Sequence, residues 1–257
     1  MDYKIAFFDI DGTLVNDEKK IPQDTIEAVA EVKRRGVEPV IATGRAPYFF
    51  EKLAQQLAID SYVSLNGGYV VYRGQPIYQH PIPRTDIEAL VKLSTEHRHS
   101  LVFEGNSAFY ANSEIDPSVQ TSVQSLKVDL PGYDPDFWTK EDIYQIFLHC
   151  EESDEYLYQE HISGLRYIRW HKSAMDVLPA DSSKAIGINA MLRLLGLTPE
   201  ESIAFGDGLN DKEMLASVGL GIAMGNAHQE LIPYANYVTT HVDQGGILNG
   251  LKYAQIL

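Results

Sequence analysis

This chain is short of several things, and each shortage closes off a class of function. Cys150 is the only cysteine in 257 residues, so no disulfide can form within the chain and a reducing compartment is expected. It lies in the apolar run Ile146-Phe147-Leu148-His149-Cys150, as a small buried filler would. No apolar run reaches the roughly 20 residues that cross a bilayer. The start shows no basic segment followed by a long apolar stretch, so no signal peptide is read there. Basic residues are few: 21 Lys and Arg stand against 36 Asp and Glu, a formal charge of −15. That balance argues against nucleic acid and anionic membrane surfaces, which both need basic patches. Internal repeats, low-complexity tracts and charge blocks are missing. The eight histidines show no paired metal spacing of the HExxH kind. The expectation is a cytoplasmic protein without nucleic-acid or membrane partners, monomeric or homodimeric.

What is present is a globular pattern. Apolar residues make up 44% of the chain, with both signs of charge interspersed, and the length allows two domains. Ile5-Ala6-Phe7-Phe8 is a short apolar run ending in Asp9-Ile10-Asp11-Gly12-Thr13. It reads as a buried strand of a parallel sheet, with carboxylates at the carboxyl end where open α/β sheets place ligands. Two carboxylates side by side repel, and a hard divalent cation such as Mg²⁺ relieves that. Gly12 lets the chain turn away, and Thr13 offers a hydroxyl and an N–H to an anion.

The pattern then alternates. Pro22 to Arg35 has helical periodicity, and Val37 to Ala42 is a second strand ending in Thr43-Gly44-Arg45 before a helix from Pro47 to Leu57. Ser61 to Leu65 is a third strand, followed by Asn66-Gly67 and a hairpin of Tyr69–Tyr72 with Pro76–His80. Pro81-Ile82-Pro83 is a stiff link, after which the character changes. A helix from Thr85 to Glu96 with Thr85 as cap, strands near 101–103 and 108–111, an ambiguous stretch at 112–140, a strand at 143–150, a helix at 153–161 and strands at 166–170 and 174–178 form an α+β insert. A helix capped by Ser182 or Ser183 runs to Leu195 and carries Lys184 in its first turn, where the helix dipole disfavours a cation. Ser202 to Phe205 is a fourth core strand, ending in Gly206-Asp207-Gly208-Leu209-Asn210-Asp211. Beyond it come a helix at 212–217, a strand at 220–223, a short helix opened by Met224-Gly225-Asn226-Ala227, a strand at 237–239 and a closing helix at 247–256.

Four stretches, Asp9-Ile10-Asp11-Gly12-Thr13, Thr43-Gly44-Arg45, Lys184 with its flanks, and Gly206-Asp207-Gly208-Leu209-Asn210-Asp211, resemble in order the four motifs of the haloacid dehalogenase superfamily. The Asn66-Gly67 pair and the chain's tail resemble its Cof-like branch. The flanks of Lys184, Asp181-Ser182-Ser183, depart from the glycine-rich form common there. The resemblance implies a doubly wound, Rossmann-like α/β core (1–82 and 182–257) with an inserted C2-type α+β cap (83–181) that selects the substrate. It implies a Mg²⁺-dependent phosphatase acting on small phosphorylated metabolites. Asp9 is then the nucleophile that becomes an aspartyl-phosphate, and Asp11 the general acid/base. Thr43 and Lys184 compensate phosphoryl charge. Gly44, Arg45, Asn66 and Asn210 contact substrate. Mg²⁺ is held by Asp9, Asp11 through its backbone carbonyl, and Asp207, with Asp211 bracing the loop behind. Within the cap, Phe103, Glu104, Trp170 and His171 are candidates to face the substrate. Two rival readings are a phosphomannomutase-like phosphotransferase and a non-catalytic sugar-phosphate-binding regulator.

Overall fold

The computed structural model describes residues 2–257. Their contacts divide the chain into two compact units, each with its own sheet: one of residues up to Arg45, Phe50–Gln79 and Ser183–Leu257, the other of Ala46–Phe49 and His80–Ser182.

The first unit begins with β1 (Ile5–Phe8), α1 (Gln23–Arg34), β2 (Glu38–Ala42), α2 (Pro47–Gln56), β3 (Tyr62–Ser64), β4 (Tyr69–Tyr72) and β5 (Gln75–Gln79). The second unit then contributes α3 (Arg84–His97), β6 (Ser100–Glu104), β7 (Phe109–Ala111), α4 (Pro117–Ser125), β8 (Gly132–Tyr133), α5 (Phe137–Lys140), β9 (Gln145–His149), α6 (Tyr156–Gln159), β10 (Leu165–His171) and β11 (Ala174–Pro179). The chain returns to the first unit with α7 (Lys184–Leu195), β12 (Ser202–Gly206), α8 (Lys212–Ser217), β13 (Leu220–Ala223), β14 (Tyr237–Val238) and α9 (Gly246–Tyr253).

The first sheet has the order β14-β13-β12-β1-β2-β3-β4-β5. It is parallel from β14 to β3, and the β4–β5 hairpin adds two antiparallel strands at one edge. Side chains alternate across it, as they must in a pleated strand. Ala6 and Phe8 enter one apolar cluster with Val29 and Val32 of α1 and Leu251 of α9. Ile5 and Phe7 enter another with Ile188 and Met191 of α7 and Leu215 of α8. A strand buried on both faces must be apolar throughout, which is why β1 reads as an unbroken apolar run. Each fully buried Phe or Ile contributes roughly 1.5–3 kcal/mol. The core is therefore the doubly wound α/β arrangement expected.

The second sheet has the order β10-β11-β9-β6-β7-β8 and is antiparallel except for the β7–β8 pair. One face packs Leu101, Phe103, Ile146 and Val177 against Ile87 and Leu90 of α3. The other packs Val102 and Phe147 against Val119 and Val123 of α4. Phe103, expected to face substrate, is instead wholly buried beneath α3.

Several local expectations change. Helix α3 starts at Arg84 behind Pro83, and no side chain caps it, so Thr85 is not its cap. The ambiguous stretch forms α4, which Asp116 caps by accepting from Ser118 N–H at 2.7 Å and Val119 N–H at 3.3 Å. The expected helix at 153–161 shortens to a 3₁₀ turn, Glu152–Asp154, and the single turn α6. Asn226 opens no helix at its own position. Its side chain donates to Gly12 O at 2.7 Å and accepts from Val242 N–H at 2.9 Å, and a 3₁₀ segment follows only at Gln229–Tyr234.

Candidate active site

The site forms at the carboxyl ends of β1, β2 and β12, which lie side by side in the sheet. Asp9 follows β1 directly, and its N–H extends the ladder to Phe205 O at 3.0 Å. Gly12 turns the chain at φ +76°; a Cβ there would be strained and would sit 2.1 Å from Asp207 Oδ2, so a larger residue would push that carboxylate aside. The close approach brings the loops after β1 and β12 together. Thr13 Oγ1 donates to Asp207 Oδ1 at 3.2 Å, spending on a carboxylate the hydroxyl that was expected to meet an anion.

Lys184 is drawn in by packing. Gly67, at φ +94°, lets the start of α7 approach until a Cβ there would sit 2.0 Å from Ser183 O. The buried Lys184 side chain then reaches Asp9 Oδ1 at 2.6 Å and Asp211 Oδ1 at 2.6 Å. The dipole penalty of a first-turn cation, about 0.3–1 kcal/mol, is smaller than the gain from two charge-assisted hydrogen bonds. Burial alone would push the ammonium's pKa down, but Asp211 and Asp9 outweigh it and hold it above its ordinary value.

Asp211 has both oxygens engaged. Oδ2 accepts from the N–H groups of Asp207 and Gly208, each at 2.9 Å, while Oδ1 takes Lys184. Asp9 and Asp207 are less well compensated. Burial pushes both carboxyls upward. For Asp9 the nearby Lys184 opposes this, while Asp211 and Asp11 add to it; for Asp207 the charges of Asp9 and Asp211 add to it. Oxygens of Asp9, Asp207 and Asp211 all lie within 4.8 Å of one another. Such a group could hold a metal ion, with Asp9 and Asp207 as the members whose repulsion is only partly offset.

Asp11, which adds its charge to that crowding, has cationic partners of its own. Arg45 grips it with Nε on Oδ2 and Nη2 on Oδ1, both at 2.7 Å, and Lys19 reaches Oδ1 at 2.5 Å. Burial raises its carboxyl, but the Arg45 and Lys19 contacts outweigh that and hold it below the usual range. Lys19 escaped the sequence reading. It sits at φ +60° in a turn organised by Asn16, whose N–H and side chain tie to Lys20, and nothing local marks it as a partner of Asp11. Asn226, which braces the Gly12 carbonyl, was missed as well.

Thr43 is buried at the end of β2, where its Oγ1 accepts from Arg45 N–H at 3.1 Å. Asn66 is a non-glycine at φ 50° and ψ 37°, and its Oδ1 accepts from Asn210 Nδ2 at 3.1 Å. A Cβ on Gly44 would sit 2.9 Å from Asn66 Nδ2, so a larger residue there would move the Asn66 amide. The structure thus joins Asp9, Asp207, Lys184 and Asp211 in one network, Asp11 with Arg45 in a second, and Asn66 with Asn210 in a third.

This arrangement has known counterparts. A family model of haloacid dehalogenase-like hydrolases matches residues 6–251. The chain belongs to that family. YkrA of Bacillus subtilis (strain 168) is 39% identical to this hydrolase over 257 residues, covering all of both chains. A second protein of that strain, the 5-amino-6-(5-phospho-D-ribitylamino)uracil phosphatase YitU, is 28% identical over 97% of this chain and 96% of its own. Among solved structures, the subclass IIB sugar phosphatase BT4131 superposes with a TM-score of 0.88 at 30% identity, over 99% of this chain and 100% of its own. This haloacid dehalogenase-like hydrolase is a phosphatase, an enzyme that acts on phosphate esters. Among the described residues, no helix is long and apolar enough to cross a membrane.

Proposed function

We propose that the enzyme hydrolyses small phosphate monoesters, of sugars or similar metabolites, with Mg²⁺ and through an aspartyl-phosphate on Asp9. The observation that carries this reading is Asp9 itself: a buried carboxylate at a strand end, fixed by Lys184 at 2.6 Å and set among the oxygens of Asp207 and Asp211. In the first step an Asp9 oxygen bonds to phosphorus, the ester P–O bond breaks, and Asp11, once the phosphoryl group draws Arg45 and Lys19 off its carboxyl and lets it take up a proton, gives that proton to the departing alcohol oxygen. In the second, Asp11 takes a proton from water as its oxygen bonds to phosphorus, releasing phosphate and restoring Asp9. Lys184 and Thr43 offset phosphoryl charge as it develops, and Arg45 presents Asp11 and the substrate to one another. A bound Mg²⁺ would be held by Asp9, the Asp11 carbonyl and Asp207, and would supply further charge neutralisation at the phosphoryl oxygens.

The names of YitU and BT4131 support the substrate class, a phosphorylated polyol derivative and a sugar phosphate. The deciding experiment is phosphate release from a panel of such esters with Mg²⁺ and with chelator. Acid-quenched enzyme is then searched for the phosphoryl adduct by mass spectrometry. Turnover that persists undiminished in chelator, or an adduct mapped to a residue other than Asp9, defeats the mechanism.

A further inference from the structure

Among the described residues, three cations bond the carboxylates of the site, and they differ in exposure. The Lys184 side chain is 0% exposed, that of Arg45 17% and that of Lys19 32%. Lys19 is therefore the one that faces water most openly, and the one an arriving solute meets first. An arriving anion needs such a guide, because the chain carries a formal charge of −15 and repels it at long range.

Asp11 does not require Lys19. Arg45 already engages both of its oxygens, Nε on Oδ2 and Nη2 on Oδ1, each at 2.7 Å. A bidentate guanidinium is a full partner for one carboxylate. Lys19 Nζ adds a third donor, on Oδ1 at 2.5 Å, so two positive charges meet the single negative one of Asp11. Lys184 has no such surplus, since Asp9 and Asp211 both hold it at 2.6 Å. The backbone at Lys19 also suits a smaller residue. Its φ is +60°, in the left-handed region that glycine adopts freely and a lysine only at a cost. Asn16 closes the turn. Its N–H donates to Lys20 O at 3.0 Å, its carbonyl accepts from Lys19 N–H at 2.8 Å, and its Oδ1 accepts from the N–H groups of Glu18 and Lys20, each at 3.1 Å. Asn16 Nδ2 donates to Asp243 Oδ1 at 2.8 Å, and Gly12 N–H donates to Val15 O at 2.9 Å, which moors the turn on both sides. A fixed turn that holds a lysine in a strained backbone has a use for the side chain.

A phosphoryl group matches that surplus. It is an anion with several oxygens, enough to take an ammonium and a guanidinium together. Asp9 lies two residues before Asp11, so a phosphoryl group that reaches Asp9 arrives beside the carboxylate that Lys19 holds. The lysine stem is long and flexible, and its ammonium bonds in any direction, so Lys19 can change partner without movement of its turn. We propose that Lys19 is a phosphate-binding residue, which captures the phosphoryl group of the substrate by exchanging Asp11 for it. The inference rests on the phosphatase reading above, in which Asp9 receives that group.

The test uses the full chain with Mg²⁺ and the variants Lys19→Met, Lys19→Gly and Lys19→Arg. The readouts are kcat and KM for 4-nitrophenyl phosphate and the inhibition constant of inorganic phosphate, each at low and at high salt. Lys19→Met removes one charge-assisted bond from a partly exposed cation, so KM and the inhibition constant are expected to rise about tenfold at low salt, with kcat changed less. Salt screens a capturing charge, so KM should climb with salt more steeply in the parent than in the variant. Lys19→Gly, which suits the left-handed backbone, should bind phosphate as weakly as Lys19→Met, and Lys19→Arg should stay within about threefold of the parent. An unchanged inhibition constant in Lys19→Met overturns the proposal. A fall in kcat with KM and the inhibition constant unaltered also does so, because it marks Lys19 as a support for Asp11 alone. If Lys19→Met does not fold, an unchanged inhibition constant in Lys19→Gly overturns it instead. If no ester is hydrolysed, the phosphatase reading fails on its own, and calorimetry with inorganic phosphate decides the matter for Lys19. Binding that Lys19→Met weakens upholds its role; no binding to the unsubstituted protein, or equal binding to both, ends it.

Discussion

Asp9 and Asp211 in the first unit are buried against Lys184, which bonds both at 2.6 Å, whereas Glu104 in the second is buried against the neutral Gln145. In the first unit, removing one partner would strand an opposite charge. In the second, removing the carboxyl would strand nothing but an amide. The first arrangement is self-consistent without a ligand, apart from the crowding that a cation would relieve. The second is incomplete by one hydrogen bond. A buried polar group inside a closed network serves structure and chemistry together, while an unpartnered one is a cost that the rest of the fold offsets.

Four substitutions would break or sharpen that contrast. The largest effect is expected at Asp9. Asp9→Asn should cut turnover by about 10⁴-fold or more, because a carboxamide cannot replace the nucleophile. The fold should survive, since Lys184 keeps its bond to Asp211 and the change lessens repulsion with Asp207. Phosphate release beside a thermal melt checks both points; a folded variant keeping even a few per cent of activity would remove Asp9 from its role.

Next is Lys184→Met. Losing the cation leaves Asp9 and Asp211 uncompensated, at a cost of about 3–5 kcal/mol by urea denaturation. A loss below about 1 kcal/mol would mean that the three groups are not coupled as their distances indicate.

The third effect concerns acid. His149 is buried in the second unit, beside Ser122 Oγ at 2.9 Å and Ser100 O at 3.3 Å. Burial pushes its pKa down from 6.5 to about 4. Between those values the unfolded chain binds a proton that the folded one does not, so protonation favours unfolding. Stability from this group is whole above pH 6.5, falls as pH drops towards 4, and is then spent, a change of about 3 kcal/mol. His149→Gln should flatten that part of the stability–pH curve. An identical curve for variant and parent would show that His149 does not carry it.

The smallest effect is expected at Glu104. Glu104→Gln should change stability by less than about 1 kcal/mol, or raise it, because the lost group had no charge partner. A loss above about 3 kcal/mol would show that the carboxyl has a partner its contacts do not reveal.

Much of this was readable from the chain because it is local. An apolar run ending in Asp9, and another ending in Asp207, mark strand ends whatever surrounds them. The first-turn position of Lys184 is anomalous on local grounds alone. Lys19 was not readable, since a lysine in a polar turn is ordinary until Arg45 and Asp11 are placed around it. Phe103 and Glu104 are neighbours in one strand, and alternation guarantees that they face opposite ways without saying which faces the helix α3.

The sequence by itself determined the strands outside the ambiguous stretch 112–140, their order along the chain, the loops that carry carboxylates, and the family those loops resemble. These depend on periodicity and on short-range backbone preference, which act within a few residues. Only the tertiary structure decided which charges meet. Lys184 and Asp9 are 175 positions apart, and Asn226 and Gly12 are 214 apart. Such pairs arise because β12 lies beside β1 and because Gly12 and Gly67 allow close approach. The tertiary structure alone also left Glu104 Oε1 without a partner, because burial and hydrogen bonding belong to the assembled sheet and not to any stretch of chain.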